Sequence, residues 1–235
     1  MIESSNSILN PTVFIGAFEL REPVTALTDF LIAITCGIAF WLMTKNKTER
    51  AASFKYYRGF FLMYAIGMTS AAWLGHGFQA YFGPEWKMLG WFCSMTGQAL
   101  LAYGSLTEVK QHLKPLIYKG ITALLIAQFI VFSFYILNPT TRGFEIPQLA
   151  SVVVLTGFVI PLQIYGYIRN NNIGSMLVIT AIVYGLVPGY VYNNQISINQ
   201  WFNYHDISHV LVVVYMIIMT FALRKLAFRS SLLVD

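Results

Sequence analysis

Residues 201–223 read WFNYHDISHVLVVVYMIIMTFAL, and this stretch decides both the fold class and the place of a candidate site. Its second part, from Val210 to Leu223, carries no charged residue. A helix needs about 20 mostly apolar residues to cross a bilayer, and this stretch is long enough. His205, Asp206 and His209 stand near its start, where ionisable side chains are costly and therefore point to function. The stretch predicts a transmembrane helix whose first turns carry functional groups.

The rest of the chain repeats the apolar pattern. Hydrophobic residues make up 57% of the 235 residues and charged residues only 11%, against roughly 25% charged in soluble domains. Short connections separate the apolar windows, so we predict an all-α integral membrane protein, a single seven-transmembrane-helix bundle over residues 23–223. The seven windows are residues 23–43, 58–82, 86–106, 115–137, 147–168, 172–192 and 202–223.

The basic residues predict the orientation of this bundle. Twelve of the fifteen fall on one side, in or immediately beside the loops after the first, third and fifth windows and after the seventh, and only Arg21, Lys87 and Arg142 fall on the other side. The positive-inside rule then places the N-terminus outside and the C-terminus in the cytoplasm. The same distribution argues against nucleic-acid binding, although the net charge is +5. We expect a multi-pass protein of the cell (inner) membrane.

The two flanks are short. Residues 1–22 form an extracytoplasmic segment, and its apolar run at 8–18 is too short to span and is expected at the membrane interface. Residues 224–235 form a cytoplasmic tail. Cys36 and Cys93 both fall inside predicted helices, which is not a disulfide framework.

Ionisable residues inside the windows fall at one depth. Asp29 is six residues below the predicted outer surface, His76 is also six, and His209 is seven, with His205 nearer the surface. At ~1.5 Å per residue, the first three lie about 9–10 Å deep. Three separate helices therefore place polar groups in one layer, as a single intramembrane site requires.

The histidines of this layer suit a metal ion. His205 and His209 are four residues apart, so they share a helical face, and His76 adds a third imidazole. Three histidines with a fourth position open for water are a common catalytic Zn²⁺ arrangement. The alternative is that each imidazole only hydrogen-bonds to its neighbours, and HxxxH alone is a weak motif.

Asp29 is the candidate catalytic carboxylate. With Glu22 and Thr25 it forms a polar stripe at i, i+3 and i+7, which should face the bundle interior. It can act as a general base or hold a metal ligand, or it can be a hydrogen-bonded structural residue. Asp206 is a second, weaker catalytic candidate, since it points about 100° away from His205.

A histidine late in the second helix and an HxxxH early in the seventh resemble the CREST superfamily, which includes the alkaline ceramidases and the progestin and adipoQ receptors. The resembling stretches are GMTSAAWLGH, residues 67–76, and HDISH, residues 205–209. The resemblance implies a zinc ion held by His76, His205 and His209, and hydrolysis of a membrane lipid amide by water activated on the metal.

The sequence departs from that family at two places. Ala72 stands where the family has a serine, and residues 86–100 lack the family's aspartate, which Asp29 would have to replace. The function we predict is a zinc-dependent hydrolase of a lipid amide or ester. The rival is a receptor or structural bundle that zinc only stabilises. A haem protein with axial histidines is a third possibility. A retinal protein would need a lysine for a Schiff base, and the seventh window contains none.

The orientation gives a first prediction. A tag placed after Asp235 should be reached only from the cytoplasmic side, and a tag before Met1 only from outside, because of the distribution of basic residues. Accessibility labelling of intact and opened vesicles measures this. Two termini on the same side would contradict an odd number of spans.

Overall fold

The apolar windows fold as helices, as the sequence predicts. The structure, a computed structural model, describes residues 11–45 and 52–230, with side chains up to Leu226. The α-helices are α1 (Pro23–Lys45), α2 (Phe54–Ser70), α3 (Gln79–Phe82), α4 (Lys87–Glu108), α5 (Pro115–Leu137), α6 (Glu145–Val154), α7 (Ile160–Asn170), α8 (Ile173–Tyr184), α9 (Leu186–Asn193) and α10 (Tyr204–Ser230). Two π-helices connect some of them, Ala71–Gly77 between α2 and α3 and Leu155–Val159 between α6 and α7.

Five of these helical segments are long and apolar enough to cross a membrane. In the described part of the chain they are Pro23–Lys45, Pro115–Leu137, Glu145–Asn170, Ile173–Asn193 and Tyr204–Leu226. The second and third predicted windows are helical too but are not among the five. Helix α2 ends after 17 residues, where the π-helix begins, and glycine, serine, threonine and glutamine residues lower the hydropathy of α4.

The helices close into one bundle. Helix α1 packs against both α2 and α10, and α10 packs in turn against α8 and α9. Helix α4 contacts α2, α5, α6 and α7, so it joins the part of the bundle around α1 and α2 to the part formed by α5, α6 and α7. Because α1 lies between α2 and α10, its interior face meets the helices that carry His76, His205 and His209.

Glycines bring α4 very close to α2. Gly90, Gly97 and Gly104 recur every seven residues along α4, and each lies against a residue of α2. A Cβ on Gly97 would lie 2.9 Å from Tyr64, and a Cβ on Gly104 would lie 2.5 Å from Tyr57. Small residues allow such close backbone approach in helix pairs. This contact fixes the position of α2. The π-helix that carries His76 begins at the residue after α2, so its start is fixed as well.

The first described segment is a β-hairpin. Strands β1 (Thr12–Ile15) and β2 (Phe18–Arg21) pair antiparallel, and the chain turns at Gly16, whose φ is +62°. The apolar tip residues Phe14, Ile15 and Phe18 are strongly exposed. The interface location expected for residues 8–18 partly falls on residues outside the described range. The sequence did not reveal the strands.

Helix α10 continues beyond the predicted end of the seventh window. It runs through Arg224 and Lys225 to Ser230, so the first part of the predicted tail is helical. Hydropathy falls at Arg224, but the helical hydrogen bonds do not depend on hydropathy. Both cysteines are free thiols, and Cys36 is fully buried.

The α2–α4 contact gives a second prediction. Gly67→Ala should destabilise the fold by about 1–3 kcal/mol, because the new Cβ would lie 2.7 Å from Cys93 Cβ and 3.2 Å from the Gly90 carbonyl oxygen. Gly120→Ala in α5 is the matched control, since nothing lies within 4 Å of its Cβ position. The control should be neutral or up to about 1 kcal/mol more stable. Thermal unfolding in detergent compares the two, and equal midpoints would refute the close contact.

Candidate functional site

One face of α1 supplies the centre of the site. Successive polar side chains on this face each contact a different part of the bundle. The Thr25 hydroxyl donates to Asp206 Oδ1 of α10 over 2.8 Å. Three residues later, Thr28 Oγ1 lies 3.0 Å from His209 Nδ1. Glu22, just before the helix, is hydrogen-bonded through Oε2 to Nδ1 of His76 in the π-helix.

Asp29 lies at the meeting point of two histidines. Its Oδ2 is 3.7 Å from His76 Nε2, and its Oδ1 is 3.4 Å from His209 Nδ1. The residue is only 2% exposed. Its Oδ2 has no hydrogen-bond partner among the described residues. A buried carboxylate oxygen without a donor is costly, so this corner of the site favours a cation or a proton between Asp29 and the imidazoles.

The π-helix Ala71–Gly77 aims His76 into the bundle. In a π-helix each N–H reaches back five residues, and here the Phe78 amide donates to the Trp73 carbonyl over 2.7 Å. The wider turn shifts the direction of His76 relative to a continuous α-helix. Gly75 and Gly77 allow close packing on both sides: a Cβ on Gly75 would meet Lys87, and one on Gly77 would meet Leu20 and Ala26. Short π segments in helices occur frequently at functional sites.

The start of α10 is fixed by a capping arrangement. The Asn203 side-chain oxygen accepts from the His205 amide over 2.9 Å, and Asp206 Oδ2 accepts from the Asn203 amide over 2.8 Å. Such reciprocal bonds satisfy free N–H groups at a helix N-terminus. Both carboxylate oxygens of Asp206 are therefore engaged, one in the cap and one with Thr25. In this arrangement Asp206 joins α10 to α1.

His205 lies beside the centre. Its ring packs on Tyr204 at 4.2 Å and on Tyr192 at 5.2 Å between ring centroids. The His76 ring lies 6.4 Å away. His205 thus faces the site but does not touch Asp29. Within the described residues, no three His, Cys, Asp or Glu side chains stand close enough, as placed, to form a ready-made metal group. Ion binding would require the side chains to move closer together.

The proton on His209 can be assigned from its neighbours. The Thr28 hydroxyl has one proton, and its oxygen lies 3.0 Å from the Thr25 carbonyl, the usual acceptor for a helical threonine. The hydroxyl lone pair then accepts from His209 Nδ1–H, and Asp29 Oδ1 is a second acceptor near the same atom. Nε2 of His209 is left with a free lone pair, as a metal ligand requires.

The charge of Glu22 is balanced by pairing with His76. Burial alone would raise the pKa of Glu22, but the hydrogen bond with His76 and the charges of His76 and Lys87 lower that pKa to about 2. The carboxylate of Glu22 is therefore charged at neutral pH. Glu22 directly precedes α1, so a negative charge lies at the N-terminal end of α1, beside His76.

The structure brings most predicted residues together. Asp29, His76 and His209 meet, His205 stands beside them, and Asp206 lies in the helix cap. Sequence reasoning gave Glu22 no role beyond its place in the polar stripe, and it overlooked Thr28. The spacing i, i+3, i+7 placed Glu22 on the correct face. Thr28 gave no such signal, because a threonine in an apolar helix usually bonds its own backbone.

The comparison with protein families covers nearly all of this architecture. A family model described as a family of unknown function, DUF6962, matches residues 24–227. The chain belongs to this DUF6962 family. No curated protein and no solved structure gives a significant match. The match includes every helix that contributes to the site, from Thr25 to His209, and leaves the hairpin and Glu22 outside its range.

A third prediction concerns Asp206 in this DUF6962 protein. Asp206→Ala should destabilise the fold by about 1–3 kcal/mol, since it leaves the Thr25 hydroxyl and the Asn203 amide without their acceptor. Thr25→Val should act in the same direction. Thermal unfolding of both single variants and the double variant measures the coupling between them.

The exposed carboxylate Glu85 gives the matched control, and Glu85→Ala should leave the midpoint unchanged. Strictly additive effects of Thr25→Val and Asp206→Ala would show that the bond between α1 and α10 contributes nothing to stability.

Proposed function

We propose that this DUF6962 protein is a seven-span intramembrane zinc-dependent hydrolase that acts on a lipid amide or ester. Its N-terminus would lie outside and its C-terminus in the cytoplasm. The observation that carries the proposal is the meeting of His76 and His209 at Asp29, whose free oxygen is buried. Three helices contribute to this point, as a site inside a bundle requires.

The topology has two supports. Five helical segments are long and apolar enough to cross a bilayer, and α4 and the α2–π-helix unit pack between them with similar lengths. The basic residues cluster at the end of the bundle away from the site, and the positive-inside rule makes that end cytoplasmic.

The donor set fits zinc. Imidazole nitrogens suit Zn²⁺ well, and His76, His205 and His209 offer three. With the proton of His209 on Nδ1, its Nε2 is an acceptor, and Asp29 Oδ2 is an acceptor that has no donor among the described residues. When bound, a zinc ion would lower the pKa of a bound water toward about 7 and polarise a carbonyl.

The chain's own residues divide the remaining tasks. Asp29 is within reach of two imidazoles and has a free oxygen, so it is the residue placed to take a proton from water and give it to the leaving amine or alcohol. Thr28 orients His209. Both carboxylate oxygens of Asp206 are hydrogen-bonded, so we give Asp206 a role in positioning α10 and no catalytic role.

Access for a lipid is from the outer leaflet. Phe30 of α1 and Trp73 of the π-helix are exposed on the surface of the bundle, and their ring centroids lie 6.2 Å apart. Phe30 directly follows Asp29 in the sequence, and Trp73 is three residues before His76. An apolar wall beside polar groups suits a substrate with an acyl chain and a scissile bond near its headgroup. The substrate class follows from this position and from the CREST-like motifs.

A receptor or structural bundle is the second candidate, and a specific observation favours it. Glu22, Thr25 and Thr28 link α1 to the π-helix and to α10 by direct hydrogen bonds. Such bonds stabilise the bundle without any turnover. Zinc binding with no hydrolysis would fit this candidate.

A fourth prediction concerns the metal. The protein purified without added metal should contain about one zinc per chain, and His76→Ala should lose it, as should the double variant His205→Ala, His209→Ala. His112→Ala is the control, because His112 is exposed and bonds to Asn170 at the other end of the bundle. Elemental analysis measures the content. Zinc retained by the variants, or lost from the control alone, would sink the assignment.

A fifth prediction concerns turnover. Asp29→Asn should lower the hydrolysis rate by roughly 10²-fold or more with zinc retained, because the amide cannot take the proton. A panel of lipid amides and esters, assayed with wild type and variant, measures this. Glu145→Gln, an exposed change at the same end, should keep full activity. Full activity in Asp29→Asn would make Asp29 structural, and a zinc-loaded wild type inactive on the whole panel would favour the receptor.

A further inference from the structure

The structure assigns a positioning role to Glu22: its carboxylate holds the proton of His76 on Nδ1 and leaves Nε2 free to face Asp29. This inference deepens the proposed function and rests on it for the consequence in zinc binding. The geometry that carries it is the contact of Glu22 Oε2 with His76 Nδ1 and the approach of His76 Nε2 to Asp29 Oδ2.

The backbone of Glu22 is unusual. Its φ is +46°, in the left-handed region that favours glycine and asparagine. Strand β2 ends at Arg21, which pairs with Thr12, and α1 begins at Pro23, so the chain passes from strand to helix within one residue. The Glu22 amide donates to the Pro11 carbonyl over 3.1 Å, and its carbonyl accepts from Ala26 over 2.9 Å. A glutamate in a conformation that glycine adopts more easily indicates that its side chain is needed.

The side chain of Glu22 is buried, unlike its neighbour on the hairpin. Glu22 is 7% exposed, whereas the Glu19 side chain is 30% exposed and pairs with Arg21 at the surface. A buried carboxylate needs a charged or hydrogen-bonding partner. His76 Nδ1 is that partner for Glu22.

This contact decides the tautomer of His76. A carboxylate accepts hydrogen bonds, so Nδ1 must carry a proton to bond with it. The opposite tautomer would place the Nδ1 lone pair against the charged oxygen of Glu22. With the proton on Nδ1, Nε2 presents its lone pair toward Asp29 Oδ2, 3.7 Å away.

His76 and His209 then have the same tautomer, with the proton on Nδ1. Glu22 binds Nδ1 of His76, while Thr28 accepts from Nδ1 of His209 with Asp29 Oδ1 3.4 Å away, so both rings have Nε2 as the available ligand atom. Carboxylates that bind the far nitrogen of a metal-ligating histidine fix its orientation and raise its basicity. The hairpin thus supplies a group that the helices alone lack.

The experiment reads the tautomer and the zinc affinity separately. Protein labelled with ¹⁵N-histidine is prepared metal-free in detergent at pH 8, and the His76 signals are identified by their loss in His76→Asn. Wild type should show His76 protonated at Nδ1. Glu22→Ala should shift the proton to Nε2, with Glu22→Gln intermediate, because the amide oxygen still accepts but has no charge.

Zinc affinity is then measured by competition with a chromophoric chelator. Glu22→Ala should weaken binding by about 10–100-fold. Glu19→Gln, three residues earlier on the hairpin and paired with Arg21 instead of His76, should change neither readout. If Glu22→Ala does not fold, Glu22→Gln alone decides the comparison.

The outcomes separate the two claims. A His76 protonated at Nε2 in wild type, or variants with an unchanged tautomer, would overturn the role of Glu22 whether or not zinc binds. A tautomer that depends on Glu22 in a protein that binds no zinc would uphold the role and remove the zinc hydrolase. A changed tautomer with unchanged zinc affinity would overturn the consequence for the metal and limit Glu22 to orienting the ring.

Discussion

A carboxylate inside an apolar helix has to find partners on neighbouring helices, because lipid offers none, and Asp29 imposes this constraint on the bundle. Its position on α1 requires α1 to turn one face inward, and the same face carries Thr25 and Thr28. The order of packing follows, since α1 must touch both α2 and α10 for these groups to be satisfied. The polar layer is therefore also the set of contacts that determines which helices are neighbours.

The close contact between α2 and α4 serves the same layer from behind. Gly97 and Gly104 let the rings of Tyr64 and Tyr57 lie directly on the backbone of α4. A second set of polar contacts sits in this interface, where Gln98 donates to both Tyr64 and Ser151. Because α2 is held in place, the start of the π-helix that follows it is held too, and His76 Nε2 lies 3.7 Å from Asp29 Oδ2. Rigid support of this kind keeps a site within the narrow geometry that chemistry needs.

Much of the helical layout could be predicted from the sequence, because hydropathy over 20 residues responds directly to the bilayer. Equal depth along three helices also correctly placed Asp29, His76 and His209 in one layer, which the distances of 3.7 and 3.4 Å bear out. The π-helix could not be predicted, since Ala71–Gly77 has no residue that distinguishes it from an α-helix, and packing decides the hydrogen-bond pattern. Asn203 and Asp206 have the spacing of a helix N-terminal capping box, but Asp206 lies between two histidines and was therefore interpreted as a catalytic candidate. The polar stripe included Glu22, but its contact with His76 could not be predicted, because the direction of its side chain depends on a left-handed backbone that glutamate seldom adopts.

The exposed tip of the β-hairpin has a mechanical consequence. Removing each of the side chains of Phe14, Ile15 and Phe18 from water would contribute about 1.5–3 kcal/mol of favourable free energy, so the tip favours apolar surroundings. The hairpin is tied to the bundle where Tyr81 accepts from the Glu19 amide over 2.8 Å, and it leads within one residue from Arg21 to Glu22. A single peptide bond therefore separates the end of the hairpin from the carboxylate that binds His76. A displacement of the hairpin would be felt first at Glu22 and, through its hydrogen bond, at the imidazole of His76.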